Sequence, residues 1–78
     1  MANNILEMAL EFLERDFPPS TLSAWFDDVT VVSFADNRLI LHSPNDFKKD
    51  FIEQRFTEPL QNVLHELTGD PVAVVVVT

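Results

Sequence analysis

The 78-residue chain contains no cysteine and only one glycine. Without cysteine there can be no disulfide bond, and no thiolate can act as a nucleophile or a metal ligand. A single glycine cannot build the glycine-rich loops that hold the phosphates of nucleotides and dinucleotides. These two absences remove several of the usual sequence signatures of enzymes and nucleotide-binding proteins.

Basic residues are also scarce, with 5 Lys and Arg against 13 Asp and Glu and a formal net charge of −8. A chain this acidic is repelled by a phosphate backbone, so non-specific nucleic-acid binding is disfavoured. No apolar run is long enough to span a membrane, and the first residues lack a signal-peptide pattern. We therefore expect one acidic, cytoplasmic domain, residues 1–78, with a small core and no membrane contact.

The first predicted helix is capped by Asn3 or Asn4 and runs to about Arg15. Its core stripe is formed by Leu6, Ala9, Leu10 and Leu13. Three further apolar residues, Ile5, Met8 and Phe12, make the apolar arc wider than one core contact requires. They line either a second edge of the core or a partner-binding surface.

A second helix is predicted to begin near Pro19 or Ser20, because consecutive prolines end the first one. Its apolar residues recur at i, i+3, i+4 and i+7, at Leu22, Trp25, Phe26 and Val29. This spacing predicts Trp25 as a core residue first, with only its edge open to a surface hot spot. The opposite face is small and polar and contains Thr21, Ala24 and Asp28.

Three β-rich runs predict three strands, at Val29–Phe34, Arg38–His42 and Val72–Val77. Asp36 and Asn37 separate the first two runs and tolerate the left-handed backbone of a tight hairpin. Helices and strands in this order predict an α+β domain with helices packed on a three-stranded sheet.

Ser43–Gly69 predicts a long helix, with Ser43 as its cap, Pro44 in its first turn and Asp46 completing a capping box. Its apolar stripe is Ile52, Phe56, Leu60, Val63 and Leu67. Pro59 is expected to kink or break the helix near Phe56–Thr57, where Thr57 could cap a second segment, and Gly69 to end it. Two aromatics, Phe47 and Phe51, lie off this stripe.

Residues with catalytic or metal-binding chemistry form no recognisable constellation. His42 and His65 share no ligand spacing, and the neighbouring Asp27 and Asp28 do not face each other on a helix. We expect no enzymatic activity and no cofactor.

One possible function is weak binding of single-stranded nucleic acid, which is the alternative to the protein-interaction role described next. Its surface would consist of three cations interleaved with aromatics: Lys48, Lys49 and Arg55 with Phe47, Phe51 and Phe56.

Four segments, taken in order, resemble the DnaA N-terminal domain family of bacterial replication initiators. They are Thr21–Phe26, the hairpin from Asp36 to Leu41, Pro44–Phe51 and Leu67–Gly69, and the likeness covers nearly the whole chain. The resemblance implies a K-homology-like fold and a protein-interaction role in replication initiation. The partners it implies are the replicative helicase or its loader, initiation regulators, and other copies of the domain in a weak homodimer.

Contact positions follow from the resemblance one residue at a time. The self-association position, often tryptophan in the family, falls on Leu6, with Ile5, Met8 and Phe12 beside it. A helicase-contact position that can be acidic falls on Thr21, and a retained Pro-Asn-x-Phe motif places Asn45 and Phe47 in the partner surface. The predicted partner-binding set is Thr21, Ala24, Trp25, Asp28, Asn45, Phe47 and Lys48. A free-standing regulator that forms mixed dimers with a full-length initiator is a further alternative.

Overall fold

The computed structural model describes residues 2–78, with the side chains of residues 5–78. Four helices and three strands follow in the order α1 (Ala2–Leu13), α2 (Pro19–Phe26), β1 (Thr30–Ala35), β2 (Arg38–His42), α3 (Asp46–Arg55), α4 (Thr57–Thr68) and β3 (Ala73–Val77). The predicted α+β class is confirmed. Over this stretch of chain, no helix has both the length and the apolar character that a membrane crossing requires.

Helix α1 begins earlier and ends earlier than its sequence pattern predicts. It starts at Ala2, so Asn3 and Asn4 fall inside the helix, and their side chains lie outside the described residues. It ends at Leu13 because the next backbone N–H groups turn back to nearer carbonyls, with Asp16 N donating to Leu13 O at 2.9 Å. Of the predicted stripe, three residues are buried and Leu10 is half-buried.

The hairpin turn is the one that Asp36 and Asn37 predict. Both have left-handed backbones, with φ of 53° and 59°, which is the geometry of a two-residue type I′ turn. Strand β2 matches its prediction, whereas β1 begins one residue late, at Thr30. A bulge between Val31 and Ser33 leaves Val32 without a partner residue on β2, and its side chain is exposed.

Strand β2 lies at the centre of the sheet, a position that the sequence did not predict. It pairs with β1 in antiparallel fashion and with β3 in parallel, and α3 and α4 form the crossover between β2 and β3. Leu39, Leu41, Val74 and Val76 point from the inner sheet face into the core. The Gln61 side chain of α4 also accepts a hydrogen bond from Val74 N at 3.1 Å, which ties that helix to β3.

The predicted break in the long helix is confirmed. Phe56 separates α3 from α4 with φ of −114° and ψ of −12°, and Pro59 lies in the first turn of α4. Proline cannot donate to the carbonyl four residues earlier, so the chain bends where that bond would be needed. Thr57 does not cap α4, because the cap position is Phe56 and no side chain bonds there. Gly69 ends α4 with φ of 82°, as predicted.

The two helices of this crossover supply the centre of the core. Ile52, Phe56, Leu60 and Val63 of the predicted stripe are all buried, and Leu64 joins them. Leu67, by contrast, is half-buried at the end of α4. Phe26 of α2 packs on Phe56, the residue that follows α3, and outer residues of α2 and α3 form the surface described next.

Candidate protein-interaction surface

Three rings from α2 and α3 form what we call the aromatic surface: Trp25, Phe47 and Phe51. Trp25 stacks on Phe51 with ring centroids 3.8 Å apart and planes 7° from parallel. Phe47 also lies beside Trp25, with ring centroids 6.1 Å apart and planes tilted by 42°. Phe47 and Phe51 come together because residues four apart share one face of a helix.

Trp25 is half-buried and packs against the core, so part of the ring remains exposed, as the prediction allowed for its edge. The helix buries Leu22 and Phe26, and Trp25 lies at the edge of that apolar face. There it covers one ring face of Phe51, and this contact gives a packing role to an aromatic that lies off the core stripe. The tryptophan thus connects the core to the surface.

Phe47 is the most exposed large apolar side chain among the described residues, at 72%. Behind Phe47 the aromatic contacts continue toward the core: the ring centroids of Phe51 and the buried Phe56 lie 6.1 Å apart. Phe56 in turn packs against Phe17 and Phe26, each at 5.1 Å. An exposed ring is therefore supported by a rigid row of rings that ends in the core.

The start of α3 fixes where Phe47 points, and it differs from the prediction. The cap is Asn45, whose Oδ1 accepts the backbone N–H of Lys48 at 3.0 Å. Ser43 is fully buried and does not cap; its N–H donates to Val77 O at 2.9 Å because it extends the pairing of β2 with β3. With Asn45 as the cap, Phe47 falls in the first turn of α3, where its side chain is largely exposed beside Trp25.

An ion pair between the turn after α2 and the first part of α3 joins the two sides of the aromatic surface. Lys48 Nζ lies 3.6 Å from Asp28 Oδ2, and both side chains are partly exposed. The structure therefore brings Trp25, Asp28, Phe47 and Lys48 together, with Asn45 at the helix start. Thr21 is half-buried and Ala24 exposed on α2, and among the described residues neither side chain bonds to α3.

The cations proposed for nucleic-acid binding are largely engaged by carboxylates. Lys48 pairs with Asp28, and Lys49 Nζ lies 3.1 Å from Glu53 and 3.8 Å from Asp50. The hydrogen bond and charge of Glu53 raise the pKa of Lys49 above its ordinary value. Arg55 lies over Phe51, with Cζ 5.8 Å from the ring centroid. This surface is aromatic with compensated charge rather than basic.

The four residues predicted for self-association do not share one environment. Leu6 is only 6% exposed and belongs to the core, so it contributes almost no surface. Ile5 and Phe12 are half-buried against the core edge, and the Arg15 guanidinium lies 5.1 Å over the Phe12 ring. Met8 is 46% exposed and is the main apolar group on this side of α1.

Phe51 is the one residue of the aromatic surface that the predicted site omitted. Its position off the core stripe was evident, and so was its spacing of four from Phe47. Those two observations together would have placed both rings on one outward face of α3. What the sequence could not show is that Trp25 stacks on that face, since this depends on how α2 packs beside α3.

Comparisons with known proteins support the family resemblance that the sequence indicated. The family model of the DnaA N-terminal domain matches residues 3–66. The chain is 31% identical over 61 residues to the chromosomal replication initiator protein DnaA of Bacteroides fragilis (strain YCH46), a match that covers 78% of the chain and 13% of that protein.

A second relative is similar over a longer stretch. The chromosomal replication initiator protein DnaA of Thermodesulfovibrio yellowstonii (strain ATCC 51303 / DSM 11347 / YP87) is 28% identical over 72 residues, which cover 92% of the chain and 16% of the relative. The chain thus spans a small fraction of the length of these relatives. Because the family model covers most of its residues, the chain belongs to the DnaA N-terminal domain family.

Proposed function

We propose that this chain is a non-catalytic protein-interaction module of bacterial DNA replication initiation. Its aromatic surface docks the replicative helicase, the helicase loader or a regulator of initiation. Its family membership supports the process, because the relatives are named as chromosomal replication initiators. A module of this kind acts in the bacterial cytoplasm, where the chromosome is replicated.

The observation that carries this proposal is the exposure of Phe47 on a preorganised support. An aromatic ring that is 72% exposed offers a large apolar area to a partner. Trp25 and Phe51 already hold the surrounding surface in place, so binding loses little side-chain freedom. Aromatic anchors flanked by polar groups are typical of interface hot spots, and Asn45, Asp28 and Lys48 supply that polar rim.

Weak self-association through the outer flank of α1 is the second part of the proposal. Met8 offers exposed apolar area there, with Ile5 and Phe12 partly exposed beside it. Three side chains cover far less than the roughly 800 Å² per partner that a stable complex buries. Two copies with a net charge of −8 also repel each other, so the homodimer is expected to be micromolar or weaker.

The fold supports a narrower structural proposal as well. The order of elements is consistent with a K-homology-like arrangement: two helices, a hairpin, a broken helix and a final strand that lies parallel to β2.

The aromatic surface and the outer flank of α1 would also serve a free-standing regulator that forms mixed dimers with a full-length initiator. Single-stranded nucleic-acid binding has less support, because carboxylates compensate both lysines of the cation cluster.

A binding measurement with matched variants tests the proposal. The 78-residue chain is titrated against the purified helicase, loader and initiation regulators of the same bacterium, and against a single-stranded oligonucleotide. Phe47→Ala is compared with Val32→Ala, which removes another exposed apolar side chain, from strand β1 rather than from the aromatic surface. Phe47→Ala is expected to weaken protein binding at least tenfold, and Val32→Ala to leave it within twofold.

The result that would overturn the proposal is equal binding by wild type and Phe47→Ala for every protein that binds. Salt-sensitive oligonucleotide binding that Phe47→Ala abolishes would instead establish the nucleic-acid alternative. A mixed dimer with full-length initiator that needs Met8, together with no binding to the helicase, the loader or a regulator, would identify the free-standing regulator.

A further inference from the structure

A groove between α1 and α2 lies on the other side of α2 from the aromatic surface. It encloses about 520 Å³, and the start of β1 closes one end. Its apolar wall is formed mainly by Leu10, Leu22 and Phe26. Trp25 and Phe47 take no part in its lining, so a partner could occupy the groove and the aromatic surface independently.

Carboxylates line the rim of this groove. Glu7 and Glu11 lie along one edge of α1 and Glu14 follows directly after its end, where its N–H still donates to Leu10 O, while Asp27 caps the end of α2 on the other side of the groove. All four side chains are exposed, and none has a cationic partner among the side chains that the structure describes. The ion pairs of the described residues lie elsewhere, so the negative charge of the groove is uncompensated.

The spacing of these charges indicates the shape of the occupant. Glu7, Glu11 and Glu14 are at i, i+4 and i+7, so their Cα atoms span roughly 10 Å along the α1 axis. Lysines or arginines at the same spacing on a facing helix would meet all three. The long walls are helices, whose interior backbone groups are bonded within the helix, so these walls offer mainly side chains; the chain at the start of β1 contributes only Val29 and Thr30 at one end. That favours a partner whose own backbone is internally satisfied.

We propose that this groove binds a basic amphipathic helix of a partner protein. Leucine-like side chains of that helix enter the apolar channel against Leu10, and its cations face the carboxylate rim. A second copy of this chain is a poor occupant, since it has 13 acidic residues against 5 basic ones. Its two helical lysines are moreover already paired with Asp28, Glu53 and Asp50.

A designed peptide tests this proposal directly. The probe is a fluorescein-labelled, alanine-based peptide of 18 residues with leucines on one helical face and lysines at i, i+4 and i+7 beside them. A peptide of the same composition with scrambled order is the control probe. Fluorescence anisotropy is expected to show binding of the ordered peptide only. Raising NaCl from 50 to 300 mM should weaken that binding several-fold.

Two triple variants separate the groove from the general acidity of the chain. Glu7→Gln/Glu11→Gln/Glu14→Gln neutralises the rim, and Asp16→Asn/Asp36→Asn/Asp70→Asn removes the same three charges elsewhere. All six side chains are exposed and unpaired among the described residues, so both variants should fold. The rim variant is expected to bind the peptide roughly tenfold more weakly, as three exposed charge pairs imply. The control should stay within twofold.

A steric variant tests the groove without a change of charge. Ser23 is exposed and lines it, so Ser23→Tyr should block the channel and reduce peptide binding as much as the rim variant does. Phe47→Ala should leave peptide binding unchanged, which keeps this test separate from that of the aromatic surface. Equal weakening by both triple variants, full binding by Ser23→Tyr, or no binding by wild type would overturn the proposal.

Discussion

Removing the Phe47 side chain distinguishes an interface residue from a core residue. About a quarter of the side chain is covered, since it is 72% exposed. Full burial of a phenylalanine stabilises a protein by about 1.5–3 kcal/mol, so the covered part contributes about 0.4–0.8 kcal/mol. The tilted contact with Trp25 adds about 0.5 kcal/mol, the low end for an aromatic pair. Phe47→Ala should therefore lower the free energy of unfolding by about 1 kcal/mol.

The assay is urea denaturation followed by tryptophan fluorescence. Trp25 is the only tryptophan in the chain, and there is no tyrosine to obscure it. Because Trp25 stacks on Phe51 and touches Phe47, its emission reports both on unfolding and on a partner that covers the aromatic surface. A loss of about 1 kcal/mol corresponds to a fall in Tm of about 4–8 °C for a domain of this size.

The comparison variant is Phe56→Ala, which removes a buried ring that contacts three other phenylalanines. Its expected cost is about 3–5 kcal/mol, a large part of the ~4–12 kcal/mol available to a chain of this length. If Phe47→Ala proved as costly as Phe56→Ala, Phe47 would be a structural residue. The reasoning that assigns it to an interface would then fail.

Three further changes probe individual features. Asn45→Ala removes the α3 cap and should lower stability by about 1 kcal/mol in thermal denaturation; an unchanged Tm would show that the cap contributes nothing. Gly69→Ala places a Cβ on a residue with φ of 82°, so it should cost about 1 kcal/mol although the space around it is empty; a stabilised variant would contradict that argument. Met8→Asp should abolish the weak dimer in sedimentation. Added salt should strengthen the wild-type dimer, because it screens the repulsion between two acidic copies; a dimer that salt dissociates would refute this account of the repulsion.

Local rules predicted most of the fold. Proline, glycine and the Asp36–Asn37 pair act through their own backbone preferences, so the break before Pro59, the end of α4 and the hairpin turn were all correct. Helix starts were less predictable, because several polar residues compete for each cap. Ser43 has the chemistry of a cap, but its N–H is used by Val77 of β3, more than 30 residues away in the sequence. A long-range pairing of that kind leaves no local signal.

In the candidate site too, positions set by local periodicity were predicted, and positions set by packing between elements were predicted only in part. The position of Phe47 off the core stripe predicted its exposure, because helical periodicity alone decides which face a residue occupies. The position of Trp25 was predicted only in part, since a ring this wide spans both the buried edge of α2 and the neighbouring Phe51. Leu6 illustrates the opposite case: its own stripe predicted burial, while the resemblance assigned it to self-association, and in the structure it is buried.

The short helix α2 separates the two proposed surfaces. It has eight residues, which is barely two turns, and it is anchored by Leu22 and Phe26. Trp25 extends to the aromatic surface on one side, and Ser23 and Asp27 line the acidic groove on the other. A helix this short is held by tertiary packing rather than by its own propensity. Conservative exposed substitutions on either side should therefore affect one surface at a time, whereas loss of Leu22 or Phe26 should disable both together.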